Sequence, residues 1–103
     1  MQRMPKAVAF IEMKDGREFG PVRVGLKSKM QGSRTAKAKG WDQTRDAVQI
    51  AAVMAWHAAR EAGHLDGVSY EQFEDQALDA GVYDLAPEDD AEPAEGDPTS
   101  PES

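Results

Sequence analysis

The 103-residue sequence predicts an α+β fold, in which an N-terminal β-hairpin packs on a small helical unit of two to three helices and a disordered acidic C-terminal tail follows. Three observations carry that expectation. Two apolar, β-branched runs flank an Asp15-Gly16 pair, residues 44–62 are apolar over more than half of a helical circumference, and residues 86–103 contain no large apolar side chain.

The hairpin is expected over residues 6–25. "KAVAFIEMK" and "REFGPVRVG" are separated by Asp-Gly, a pair suited to the positive φ angles of a two-residue type I′ turn. In the second strand Val22, Val24 and Leu26 are expected on one face, and Pro21, which donates no backbone hydrogen bond, makes this strand an edge or places a bulge in it. A lone hairpin is marginal in water, so it needs a helix or another strand beside it. Residues 26–40, "LKSKMQGSRTAKAKG", read as a basic connector in which Ser33 caps a short helix stopped by Gly40.

The main helix is expected over about residues 44–62. Its broad face holds Ala47, Val48, Ala51, Ala52, Met54, Ala55, Trp56, Ala58 and Ala59, small enough in most positions for another backbone to approach closely. Opposite lies a polar stripe of Asp46, Gln49, His57, Arg60 and Glu61, into which Ile50 and Val53 intrude. These two need cover from the next helix or from a second chain. That next helix is expected over about residues 69–80, where Ser69 and Gln72 form a capping-box pattern and Tyr70, Phe73, Ala77 and Ala80 share a stripe. Residues 1–85 therefore read as one small domain and 86–103, with four prolines, seven acids and no base, as a tail unable to bury enough surface to offset the entropy of ordering.

Charge is strongly polarised along the chain. Residues 1–60 carry a formal +7 and residues 61–103 a formal −14, within a net −7. The basic stretch Arg23, Lys27, Lys29, Arg34, Lys37, Lys39 and Arg45 is the candidate nucleic-acid surface, although no aromatic residue is interleaved within residues 27–40 to stack on bases. Cysteine is absent, which excludes disulfides and thiolate metal sites, and no apolar run reaches the roughly 18 residues of a membrane span. A soluble protein of a reducing cytoplasm is expected.

Catalytic chemistry finds little footing. His57, Glu61 and His64 have two imidazoles and a carboxylate near helical spacing, but Gly63 breaks the helix before His64, so no metal site is expected. There is no phosphate-cradling glycine loop, and the carboxylates from Glu71 to Asp84 read as a solvated face. The expectation is a protein without enzymatic activity or cofactor.

The segments "GWDQTRDA" and "MAWHAAREAGHLDGVSYEQFEDQ", with an acidic end "DPTSPES", resemble the small tail assembly chaperones of long-tailed actinobacterial bacteriophages. The resemblance rests on Gly40, Trp41, Ala55, Trp56, His57, Ala58, Gly63, Ser69, Tyr70 and Phe73. It implies a protein that binds the hydrophobic tape measure protein in the host cytoplasm, keeps it soluble while the tail tube polymerises, and is absent from the mature virion. It also implies a longer frameshifted form and association with further copies of the chain. Under that reading Ile50, Val53, Met54 and Trp56, with Trp41, Tyr70 and Phe73, form the partner surface. The alternatives are a small nucleic-acid-binding regulator using residues 23–45, or a structural subunit of the virion.

Overall fold

The computed structural model describes residues 6–85, and the acidic tail expected over 86–103 lies outside them. The chain is α+β. In order come β1 (Lys6–Met13), β2 (Glu18–Arg23), α1 (Leu26–Lys39), α2 (Ala47–Glu61), α3 (Tyr70–Gln76) and β3 (Ala77–Leu85). The strands make one antiparallel sheet in the order β2-β1-β3.

The hairpin forms where the sequence places it, but its loop is one residue longer than expected. Gly16 N donates to Met13 O at 3.0 Å and Met13 N donates to Arg17 O at 2.8 Å, leaving Lys14, Asp15 and Gly16 as a three-residue loop with Gly16 at φ 96°. Asp15 contributes through its side chain, accepting from Arg17 N at 3.0 Å and Arg17 Nε at 2.8 Å. Those bonds hold its carboxyl below the usual range. β2 is an edge strand, as Pro21 requires, and it is also bulged: Ala9 faces Val22 but Ile11 faces Phe19, so β2 advances three residues while β1 advances two. Gly20 permits this, since a Cβ there would lie 2.7 Å from the Phe10 ring and 2.9 Å from the Ala9 carbonyl oxygen.

Val22 and Val24 are buried as expected, whereas Leu26 is 72% exposed because it starts a helix instead of extending the strand. Residues 26–40 are not a connector. Residues 26–39 form a 14-residue helix in which Ser33 is an exposed interior position and Gly25 is the N-cap. Gly40 does end it, at φ 71°, donating to the Ala36 and Lys37 carbonyls. The helix is held by a stripe of small residues, Ser28, Gly32 and Ala36, spaced four apart and buried on one side. With no side chain at Gly32, α2 comes in until Met54 Cγ lies 2.6 Å from where a Cβ would be.

The regular part of α2 starts at Ala47, slightly later than expected, because residues 42–46 make a separate capping turn. Asp42 accepts from Thr44 N at 2.9 Å and Arg45 N at 2.7 Å, while Asp42 N donates to the Asp46 carboxylate at 2.9 Å. The Arg45 guanidinium and this backbone donor hold the Asp46 carboxyl below its ordinary value. α2 packs against all three strands and against α1, whereas α1 reaches the sheet through α2. Ala55, Ala58 and Ala59 are almost wholly buried, so the small side chains admit close packing as the sequence suggests.

The second helix is shorter than expected. The Ser69–Gln72 capping box is complete, but the helix ends at Gln76, and Ala77 already has extended φ −85° and ψ 136°. Ala77 and Ala80 therefore belong to a strand, not to a helical stripe. Pairing decides this: β1 would otherwise present an open edge, and β3 covers it from Lys6↔Leu85 to Met13↔Ala77. The core cluster draws Ala7, Ala9, Ile11 and Met13 from β1, Val22 and Val24 from β2 and its flank, Val53 and the alanines of α2, and Leu65, Tyr70 and Phe73.

Replacing Gly32 by Leu should separate α1 from α2 and destabilise the protein by about 1–3 kcal/mol, the usual effect of overpacking. Thermal unfolding checks it, and Met54→Ala in the same chain should recover part of the loss. An unchanged melting temperature for Gly32→Leu would mean that the two helices are not in close contact.

Candidate functional site

The residues expected to meet a partner divide into three groups in the fold. Val53 and Phe73 are each 1% exposed and Tyr70 is 9% exposed, so all three are core residues and not a docking surface. Their burial follows from the sheet: β3 and α3 bring Tyr70 and Phe73 into the same cluster as Val53. Trp56 and Trp41 are half-buried. Trp56 Nε1 donates to Val68 O at 2.8 Å, its ring meets Tyr70 edge-on at 5.7 Å, and the Arg60 guanidinium lies 5.1 Å from its centroid. That side chain ties α2 to the segment leading into α3 and is committed to structure. Trp41 follows the α1 stop, where its backbone N donates to Ala36 O at 2.8 Å and the Lys39 ammonium lies 5.9 Å from its ring.

Ile50 and Met54 remain half-exposed. Their cover is α1, the preceding helix, and not the following one. They sit on the side of α2 that also carries His57, spaced i, i+4 and i+7, and they face Gly32 and Ser28. The cover is incomplete. Lys29, Ser33 and Ala36 from α1 and Ala47, Ile50 and Met54 from α2, with Gln43 at one end, line an open, mainly apolar groove of about 320 Å³. A second groove of about 290 Å³ lies across α2, where Val48 and Ala52 meet Tyr70, Phe73, Ala77 and Ala80. Val48 is 75% exposed at its rim.

The titratable groups are dispersed. His57 Nδ1 and Ser28 Oγ share a hydrogen bond at 2.8 Å between α1 and α2, whereas His64 stacks on Phe19 of β2 with centroids 5.0 Å apart. Glu61 is exposed, and among the described residues no group of three His, Asp or Glu side chains could hold a metal ion. Burial, then the nearby Glu74 carboxylate, pushes the Tyr70 hydroxyl well above its usual pKa. Arg23, Lys27, Lys29, Arg34, Lys37, Lys39 and Arg45 are all exposed, with five of them on α1, a helix that contains no acid. No described helix is long and apolar enough to cross a membrane.

The sequence reading missed the α1 wall of the groove. Its signal was present in Ser28, Gly32 and Ala36, whose four-residue spacing marks a close helix contact even where large apolar residues are lacking. No protein-family model, curated protein or solved structure matches this chain.

Because the folded state keeps Tyr70 neutral, its contribution to stability is whole below about pH 10 and is lost as pH rises above that value. Tyr70→Phe should therefore flatten the fall in melting temperature above about pH 10. An equally steep fall in the variant would place the alkaline sensitivity elsewhere.

Proposed function

We propose that this protein is a non-enzymatic tail assembly chaperone that binds the tape measure protein of a long-tailed bacteriophage in the host cell. The observation that supports this reading is the open apolar groove between α1 and α2, in which Ala47, Ile50 and Met54 are left partly uncovered. Such a groove suits the apolar stripe of an amphipathic helix, and an extended helical client offers many similar stripes to successive copies. The contact residues in this proposal are Ala47, Ile50 and Met54, with Lys29 at the rim. Val53, Tyr70 and Phe73 belong to the core and Trp56 to the α3 side of α2, so none of them lines this groove.

The groove separates folding from binding experimentally. Ala47→Asp places an acid in the first turn of α2, where the helix dipole favours it and no acid now sits, yet it puts a charge in the groove. Coexpressed with the tape measure protein, the wild-type chain should keep that client soluble, while Ala47→Asp should keep its own melting temperature and lose the client. Val53→Asp, by contrast, should unfold the chaperone, since it buries an unpaired carboxylate. Full solubilisation by a folded Ala47→Asp variant would contradict the groove assignment.

A second reading has one specific observation in its favour, the five exposed bases and no acid on α1. As a nucleic-acid surface it would bind with a steep salt dependence that weakens when Lys27, Arg34 and Lys37 are neutralised. A flat titration at low salt removes it.

A further inference from the structure

The outward face of the sheet, turned away from α2, combines apolar and charged features that the fold itself does not use. Phe10 of β1 and Tyr83 of β3 are 42% and 55% exposed, with their rings 5.9 Å apart at a tilt of 57°. Tyr83 lies back over Gly81, where its hydroxyl is 2.7 Å from the position a Cβ would take. One rung toward the hairpin loop, Glu18, Glu12 and Asp79 stand side by side across all three strands. All three are exposed, and none forms an ion pair with a base among the described residues. Like charges directly opposite one another in a sheet are destabilising, so this row favours a cationic neighbour. The aromatic pair and carboxylates border a depression of about 320 Å³.

The complementary surface is on the same molecule but faces away from the sheet. α1 turns Ser28, Gly32 and Ala36 inward, which leaves Leu26, Met30, Arg34 and Lys37 on its outer side. Leu26 and Met30 are 72% and 46% exposed. Since α1 packs chiefly on α2, with its outer side turned away, that side does not meet the outer sheet face of its own chain.

We propose that the outer face of α1 in one copy docks on the outer sheet face of a second copy. Spacing supports the match. Leu26, Met30 and Arg34 are one helical turn apart, about 6 Å each, and alternate rungs of a strand are about 6.8 Å apart. Met30 then rests on Phe10 and Tyr83, Leu26 reaches the rung of Leu85, and Arg34 with Lys37 meets the carboxylate row. Lys6 and Arg23 at the opposite end of the sheet face repel the reversed orientation. Because the two faces are different and lie on different sides of the molecule, the contact is head-to-tail and can extend beyond two copies. It uses neither Ala47 nor Ile50, so it stands apart from the client groove.

Sedimentation velocity of the full chain at sub-millimolar concentration tests it. In about 0.01 M salt, where charges act over about 30 Å, the chain should form dimers and larger species, and in about 1 M salt these should weaken. Glu12→Lys with Asp79→Lys, or Arg34→Glu with Lys37→Glu, should each raise the dissociation constant by at least about tenfold. An equimolar mixture of the two should associate again, because every reversed face then has a complement. Leu26→Gln with Met30→Gln, which changes no charge, should also weaken association, and melting curves establish that each variant is folded. A wild-type chain that stays monomeric in low salt overturns the proposal, as does assembly that survives either charge reversal, or folded variants that do not recover on mixing.

Discussion

The helical half of the molecule depends on how closely α1 approaches α2 at Gly32. A residue with any side chain there would meet Met54, and α1 has no large apolar group on its inner side to hold it at a greater distance. Close approach brings Ser28 within hydrogen-bond reach of His57, half-covers Ile50 and Met54, and makes one wall of the groove. On the opposite side, the alanines of α2 do the same for the sheet. Ala55 and Ala59 are fully buried, and a helix with larger residues there would stand off from β1. α2 is thus a thin layer between two elements, and its own sequence sets both distances.

This arrangement explains which parts of the structure were legible in the sequence. The hairpin, the edge position of β2, the Gly40 stop and the Ser69–Gln72 capping box are local features, fixed by residues a few positions apart. α1 was not legible as a whole helix because its contact stripe is small and polar, and large apolar periodicity is the usual signal. β3 was missed for another reason. Ala77 to Ala80 suit a helix by propensity, and only the open edge of β1 makes the extended form preferable, an interaction across more than sixty residues of sequence. The Val82-Tyr83 pair was the local hint.

The candidate site was legible in part. Ile50 is half-covered by α1, where the sequence suggests only a basic connector, and not by the following helix. Val53, Tyr70 and Phe73 moved from the surface to the core once β3 and α3 were placed. The groove offered to the proposed partner is narrower than the apolar circumference of α2 suggests, bounded by Lys29 and Gln43 and floored by Ile50 and Met54. The charge polarity of the sequence also acquires a location: the bases concentrate on the outside of α1, and three acids line up across the outer sheet face.

The proposed chaperone role is tested most directly by what the protein holds inside an infected cell. Tagged full-length chain should be recovered from infected host cells, its companions identified by mass spectrometry, and purified virions searched for the same chain. The role requires one very large, helix-rich phage protein among the companions and no chaperone in the virions. Recovery of nucleic acid without that protein, or of the chain as a component of finished particles, would contradict it.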